Sequence, residues 1–283
     1  PLKRALLVAE KPSVAKGIAN LLAPGCRATA GPAQYNRIYE LRTRVGAEDF
    51  QVDCTSVSGH FKELDFAQSH RKWHSCHPRE LFRAPVTTMV KKEFSDLQKQ
   101  LRQLARKAQL LIIATDNDRE GEAIGFEIID ECKRVNKRLQ VKRMKFTSLT
   151  SHQIKGALNQ LVEPNEHEAD ACSARSEIDL RVGAAFTRFQ TLRLQQMYTD
   201  LADDVVSYGG CQFPTLGFVV DRYRQREDHV SEDFWKLNVR HEVEGQGGVT
   251  FLWDRYRLFD RDLTHTLLQQ CVNSPSPRAT VTR

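Results

Sequence analysis

Two stretches of the chain share one pattern, in which an apolar run is followed by a polar loop and then by apolar residues at helical spacing. The first run, 4–9, ends at Glu10 and precedes a helix for which Ser13 is the predicted N-cap. The second run, 110–115, leads through the acidic loop 116–121 into another helix. Continuous apolar strands that alternate with helices predict a parallel sheet covered on both faces.

Other elements can be read from the same periodicity. A strand is predicted at 51–57 and a polar helix at 91–108. After about residue 150 the character changes, and a long helix is predicted at 173–196. Alternation from Trp235 to Trp253, with a glycine-rich turn at 245–248, predicts a β-hairpin. The long helix carries one apolar stripe, in which five residues face the same way: Ile178, Val182, Ala185, Phe189 and Leu192.

Composition limits the classes of function. The net charge of +6 and the pI near 9.0 permit a polyanionic partner without requiring one. No apolar run approaches the roughly 18 residues that span a bilayer, so no membrane role is predicted. The 7 cysteines are scattered and contain no C-x-x-C pair, which favours reduced thiols in an intracellular compartment. Four residues crowd together without a second cluster to complete a zinc site: His70, His74, Cys76 and His77.

The acidic loop is the main candidate for chemistry. Asp116, Asp118 and Glu120 are two residues apart, so in an extended segment their carboxylates share a face. Carboxylates at such short separation raise one another's pKa unless a cation offsets their charge. A set of ligands that are all oxygen atoms favours Mg²⁺. Glu10 ends the first strand and is the natural fourth acid, because ligands bind at the carboxyl ends of parallel strands. The alternative is that the aspartates only form a turn and that Glu120 only favours the start of a helix.

Glu10 together with the segment Asp116–Glu122 resembles a Toprim domain. Further stretches narrow the resemblance to type IA DNA topoisomerases of the topoisomerase III kind; they are Thr55–His60, Arg181–Thr191 and Ser207–Gly217. The segment Arg71–Trp73 and Cys76 with Leu81–Phe82 resemble the eukaryotic alpha form more than the beta form. The resemblance extends over essentially the whole chain.

The resemblance implies an α/β fold in three parts. Residues 1–150 would form the Toprim domain, which is a Rossmann-like parallel sheet. Residues 151–218 would form a mainly helical domain that binds single-stranded DNA, and 219–283 the start of a β-rich arch domain. Type IA enzymes cut one DNA strand through a 5′-phosphotyrosine, pass another strand through the gap and reseal it. The implied function is therefore Mg²⁺-dependent topoisomerase activity on single-stranded DNA.

The resemblance also assigns roles to the acidic cluster. Glu10 matches the acid near the scissile phosphate, and Lys11 matches the lysine that stabilises charge on that phosphate. An ordinary solvated lysine is the alternative for Lys11. Asp116 and Asp118 match the Mg²⁺ ligands, with Glu120 assisting.

A second set of residues matches positions that contact DNA. A purely structural role is the alternative for several of them. Arg175 with Asp179, and Glu177 with Arg181, have the i,i+4 spacing of ion pairs on a helix surface. His60 follows a glycine and could serve only a tight turn. The predicted DNA-binding residues are His60, Arg175, Asp179, Arg181, Arg188 and Gln212.

The nucleophile of the family lies in a Y-x-R-[ST] segment, and none of the 6 tyrosines here has that context. Tyr35 comes nearest, but Ile38 occupies the fourth position. The chain is therefore expected to be the amino-terminal part of an enzyme and not to cleave DNA alone. The resemblance implies that the whole enzyme works in the nucleus with a RecQ-family helicase and an OB-fold partner. A Toprim nuclease or primase, and a non-catalytic fragment that only binds single strands, are the alternatives.

Overall fold

The structure is a computed structural model that describes residues 2–245 and 247–275. The chain forms two compact units, Pro1–Pro214 and Thr215–Arg283. The division into three domains at residues 150 and 218 stays a prediction.

The elements follow in chain order. The strands are β1 (Lys3–Ala9), β2 (Ala28–Thr29), β3 (Ile38–Val45), β4 (Glu48–Ser56), β5 (Lys62–Phe66), β6 (Val86–Val90), β7 (Leu110–Ala114), β8 (Gln140–Arg143), β9 (Val239–Val243) and β10 (Gly247–Phe251). The α-helices are α1 (Pro12–Leu22), α2 (Gln68–Arg71), α3 (Ser95–Ala105), α4 (Arg119–Lys133), α5 (Ser151–Asn159), α6 (Glu166–Met197), α7 (Gln212–Glu227) and α8 (Arg261–Val272). Single 3₁₀ turns lie at Pro78–Phe82, Lys92–Phe94 and Thr199–Leu201.

A six-stranded sheet in the order β2-β3-β4-β1-β7-β8 forms the first unit's centre. Its β4, β1, β7 and β8 strands are mutually parallel, and β3 and β2 extend it as an antiparallel edge. The α/β fold class and the parallel sheet predicted from the two repeated patterns are confirmed. Ala9 of β1 pairs with Ala114 of β7, so these strands end side by side.

Alternate residues of the central strands face opposite cores. Leu7 belongs to the cluster that α1 and α5 cover, whereas Leu6 belongs to the cluster that α3 and α4 cover. Both residues are fully buried. Because each face has its own helical layer, the strands can be apolar throughout, as the sequence showed.

Two details of the predicted elements are wrong. Helix α1 begins at Pro12 with Lys11 as the N-cap, so Ser13 is not the cap. Proline suits the first helical position because the amide missing there would have no partner within the helix. In α6, Ala185 of the predicted apolar stripe is buried, but Ile178 and Phe189 of that stripe are 60% and 57% exposed, and Arg188 is buried instead. Residues 70–72 of the same chain lie against the side of α6 that carries Arg188.

The second unit contains the predicted hairpin, formed by β9 and β10 with antiparallel pairing. Trp235 bridges Leu258, so the alternating segment before Val239 pairs outside the hairpin. Helix α8 follows, with Asp260 as its N-cap. None of the described helices is both long and apolar enough to cross a membrane.

Candidate active site at the carboxyl edge of the sheet

Glu10 and Asp116 meet where β1 and β7 end. The Asp116 amide donates to Glu10 Oε2 at 3.0 Å. Lys11 Nζ lies 3.3 Å from Glu10 Oε1 and 3.0 Å from Asp116 Oδ2. The predicted meeting of these two acids is therefore observed, and a lysine ammonium joins their carboxylates.

Lys11 stays protonated in this arrangement. Its hydrogen bond to Asp116 and then that to Glu10 raise the pKa of the ammonium group. The Lys11 side chain is 53% exposed, whereas that of Glu10 is 10% exposed. The site thus presents a permanent positive charge at the surface, above an acid that is nearly buried.

Asp118 and Glu120 are placed differently. Asp118 is the N-cap of α4, and its Oδ1 accepts from the Gly121 amide at 2.7 Å. Asp118 has extended backbone, but Glu120 already lies in the first helical turn, so the expectation of one extended segment fails there. Among the described residues, no three of the four acids bring carboxylate oxygens within 4.8 Å of one another. The four-acid metal site stays a prediction.

The donors at this edge fit a hard divalent cation. Glu10, Asp116 and Asp118 supply only carboxylate oxygens, which is the ligand type that such ions prefer. The Asp116 side chain is 43% exposed, so an ion can reach it from solvent. Lys11 offsets part of the acidic charge, and a cation would offset the remainder.

A buried ion pair holds the acidic loop from behind. Arg143 is fully buried and donates through Nε to Glu122 Oε1 at 2.9 Å. Its Nη2 donates to the Asp116 carbonyl oxygen at 2.7 Å. Glu122 Oε2 accepts from the Asn165 amide at the N-cap of α6. Arg143 therefore ties the Asp116 backbone to the start of the long helix.

Sequence reasoning missed Arg143 and Glu122. Arg143 lies in residues 133–145, a stretch rich in lysine and arginine, and such charge runs are usually solvated. In the structure it is the last residue of β8 and is 0% exposed. The apolar residues Val141 and Met144 lie close to Arg143 in sequence and are the available signal of burial, but Lys142 and Lys145 mask it.

Gly121 permits the tight turn of the loop. A Cβ at this residue would lie 2.0 Å from the Asp116 carbonyl oxygen, well inside any allowed contact. The Gly121 carbonyl accepts from Thr115 Oγ1 at 2.6 Å. The backbone of the loop is therefore fixed on both sides of the helix start, and only glycine fits.

His60 is held between two carboxylates. Its Nδ1 lies 2.6 Å from Glu127 Oε1, and its Nε2 lies 2.9 Å from Glu120 Oε2. The hydrogen bond to Glu127 is the main reason that the pKa of His60 rises to about 9. Gly59 has φ +73°, so the turn expected before His60 is also present.

Glu120 also contacts the long helix α6. Cys172 Sγ donates to Glu120 Oε2 at 3.1 Å, and Arg175 Nη1 lies 3.7 Å from Glu120 Oε1. Hydrogen bonds from His60 and then Cys172 lower the pKa of Glu120. Arg175 Nε also lies 3.7 Å from Asp179 Oδ2, as the i,i+4 spacing predicts. Arg175 is 72% exposed in its side chain, so a phosphate can reach it.

Arg181 and Arg188 have structural contacts. Arg181 Nη1 donates to the carbonyls of Leu81 and Ala84 at 3.0 and 2.8 Å. Arg188 is 7% exposed and donates to the carbonyls of residues 70–72. A phosphate would have to displace these bonds, so the structure does not support the predicted phosphate stripe. Gln212 is exposed at the start of α7.

Comparisons with known proteins agree with this architecture. A Toprim domain family model matches residues 5–149, and a DNA topoisomerase family model matches residues 163–283. The chain is 45% identical over 276 residues to DNA topoisomerase 3-alpha of Homo sapiens, covering 97% of this chain and 28% of the human protein. It is also 45% identical over 276 residues to DNA topoisomerase 3 of Caenorhabditis elegans, covering 95% of this chain and 36% of that protein.

A solved structure shows the same fold. Full-length topoisomerase I from Thermotoga maritima superposes with a TM-score of 0.53 at 22% identity, over 93% of this chain and 37% of that one. The chain thus spans between 28% and 37% of the length of these three proteins.

Proposed function

This chain belongs to the type IA DNA topoisomerases, and on that premise we propose that it supplies the phosphate- and metal-binding half of an active site for Mg²⁺-dependent cleavage and resealing of single-stranded DNA. The tyrosine that forms the 5′-phosphotyrosine would come from outside residues 1–283. The observation that carries the proposal is the Lys11 ammonium between Glu10 and Asp116 at the ends of adjacent parallel strands.

Each residue of that group suits a step in phosphodiester exchange. The Lys11 charge is fixed beside two acids, where it can stabilise negative charge that develops on the scissile phosphate. Glu10 is nearly buried and accepts a hydrogen bond from the Asp116 amide, so its carboxylate is held in one orientation beside the phosphate that Lys11 would contact.

The metal would be held by Asp116 and Asp118, with Glu10 and Glu120 nearby. Toprim is a metal-binding domain, and we infer Mg²⁺ from the all-oxygen donors. When bound, the ion supplies charge neutralisation and a template for the phosphate. The backbone of Asp116 is anchored by Arg143, so the carboxyl group can turn outward without loss of the loop.

Single-stranded DNA would lie along the exposed face that carries Lys11 and Arg175, with Asp179, His60 and Gln212 beside its path. The first two side chains are exposed and bear positive charge. Arg181 and Arg188 would shape the domain and leave the phosphates to others. We further infer a nuclear enzyme that works with a RecQ-family helicase and an OB-fold protein, from the similarity to DNA topoisomerase 3-alpha.

The experiment measures binding and cleavage of a labelled single strand by the purified chain with Mg²⁺. We expect binding that weakens with salt and no covalent adduct or free ends. Lys11→Gln should lower the salt slope by about one unit, whereas the exposed Lys16→Gln on the same helix should change it less. Equal effects of the two variants would refute the placement of phosphate at Lys11.

A second outcome tests the class of reaction. Mg²⁺-dependent free ends produced by the chain alone would favour a Toprim nuclease over a topoisomerase. A covalent adduct should form only when a tyrosine-bearing segment is joined to the chain, and Lys11→Gln should slow its formation. Salt-sensitive binding with no adduct in the joined protein would favour a binding module.

A further inference from the structure

Three side chains of different chemistry converge beside the acidic loop. The potential ligand atoms of His60, Glu120 and Cys172 all lie within 4.8 Å of one another. Glu120 Oε2 is the centre of the group, at 2.9 Å from His60 Nε2 and 3.1 Å from Cys172 Sγ. Imidazole, carboxylate and thiol together form a donor set for a borderline-soft divalent cation, and a hard ion would not select it.

Glu127 orients the imidazole for such a task. Its Oε1 lies 2.6 Å from His60 Nδ1, and its Oε2 accepts from the amides of Phe61 and Lys62 at 3.1 Å. The carboxylate is therefore fixed by the backbone, and it directs Nε2 of His60 toward Glu120 and Cys172. A carboxylate behind a ligating histidine is the usual outer contact of protein zinc sites.

The distances suit a small ion after a slight expansion. Tetrahedral Zn²⁺ with bonds of about 2.0 to 2.3 Å separates its ligand atoms by about 3.4 to 3.5 Å. The His60–Glu120 and Glu120–Cys172 distances are 2.9 and 3.1 Å, so each must widen by about 0.4 Å. Glu120 has a half-exposed side chain and can make that adjustment.

We propose that His60, Glu120 and Cys172 form a three-ligand site for Zn²⁺ or a similar borderline-soft cation, with Glu127 as the orienting residue. The fourth position is open to solvent or to an added ligand. Binding releases two protons to solvent, one from His60 Nε2 and one from the Cys172 thiol, because both ligand atoms must be deprotonated. The resulting thiolate and the Glu120 carboxylate balance the charge of the ion. The ion would compete with Arg175 for Glu120.

Ions can reach this site through a groove of the first unit. His60, Glu127 and Cys172 line a cavity of about 610 Å³ together with Thr88 of β6 and Ser176 of α6. The Glu120 side chain is 51% exposed. The trio is therefore accessible without unfolding of the chain.

A second trio, His70, Cys76 and Glu80, serves as a comparison. Here His70 Nδ1 contacts the hydroxyl of its neighbour Ser69 at 2.8 Å, and Glu80 accepts from the His77 amide. Glu80 is therefore engaged as part of a helix cap, and among the described residues no carboxylate is hydrogen-bonded to His70 as Glu127 is to His60. We expect the weaker affinity at this trio.

Co²⁺ titration of the purified chain tests the proposal, because thiolate–Co²⁺ charge transfer reports a cysteine ligand. We expect a charge-transfer band that Zn²⁺ abolishes by displacement. Cys172→Ser should remove it, Glu127→Gln should weaken Co²⁺ binding by about 10- to 100-fold, and the matched Cys76→Ser should leave it intact. His60→Gln removes a second ligand and should also abolish the charge-transfer band. Circular dichroism verifies that each variant is folded.

A band that persists in Cys172→Ser, or one that disappears only in Cys76→Ser, would overturn the assignment. The test does not depend on topoisomerase activity, since it uses neither DNA nor the acids that flank Lys11. Failure of the proposed function would leave the band unchanged, and failure of the zinc site would leave DNA binding unchanged.

Discussion

Replacement of Gly121 by alanine should damage the candidate site without touching any charged group. The new Cβ would lie 2.0 Å from the carbonyl oxygen of Asp116 and 2.9 Å from its carbonyl carbon. Because an ordinary contact needs about 3.0 Å or more, the Asp116 peptide must move by about 1 Å. This peptide also accepts the hydrogen bond from Arg143 Nη2, so the shift acts on the buried ion pair as well.

The expected loss of stability has two sources. Overpacking at the start of α4 costs about 1 to 3 kcal/mol. Loss of the bond between Arg143 and Asp116 leaves a buried donor unpaired, which costs about 1 to 3 kcal/mol. Alanine in place of glycine in a helix returns at most about 1 kcal/mol. The free energy of unfolding should therefore fall by about 1 to 6 kcal/mol.

Urea unfolding followed by circular dichroism measures this loss. Gly156→Ala is the matched control, because Gly156 also lies in a helix but its Cβ would meet nothing within 4 Å. The control should be neutral or more stable by up to about 1 kcal/mol. Affinity for Mn²⁺, read by electron paramagnetic resonance, should fall by about 10- to 100-fold in Gly121→Ala. Equal unfolding midpoints and equal Mn²⁺ affinities for the two variants would refute the account of the loop.

Two further predictions concern buried charges. Arg143→Met should lower the free energy of unfolding by about 3 to 5 kcal/mol, because the buried Glu122 loses its hydrogen-bonded cation and keeps, among the described cationic residues, only the more distant Lys145 at 3.8 Å. Addition of Glu122→Leu should recover much of the loss in the same urea assay. For Glu131, burial alone would raise the pKa, but bonds from Gln98 and Arg102 and the charge of Lys62 outweigh it and lower the pKa. A carboxyl group whose pKa is lowered on folding stabilises the folded state at pH values above its ordinary pKa of 4.5. That contribution is lost as the pH falls through the lowered pKa. Wild type should therefore lose more stability than Glu131→Gln between pH 7 and acid; parallel pH profiles would contradict this.

The positions of Glu10 and Asp116 could be predicted because they depend on strand order alone. Two buried strands that run in parallel must end at one edge, so the residue after each strand is placed by the sheet. The direction of Glu120 could not be predicted in this way. Once α4 begins at Arg119, the next side chain turns about 100° around the helix, and it meets His60 and Cys172 from distant parts of the chain.

The burial of α6 shows a second limit. Ala185 of its apolar stripe is buried, but Ile178 and Phe189 of the same stripe are exposed, and the charged Arg188 is buried in their place. Arg188 is buried because three backbone carbonyls of residues 70–72 satisfy its guanidinium. Nothing in the periodicity of α6 indicates that the end of α2 and Lys72, more than a hundred residues earlier, supply those carbonyls.

Lys11 and Arg143 bind different parts of Asp116 at the sheet edge. Arg143 lies behind the loop, fully buried, and binds the Asp116 backbone. Lys11 lies in front of it, half-exposed, and binds the Asp116 side chain. Arg143 therefore fixes the Asp116 backbone where solvent cannot displace it. Lys11 contacts the Asp116 carboxylate where a metal ion or a phosphate can displace it. Such a site can exchange its partner for Asp116 without rebuilding the fold, as repeated cleavage and resealing would require.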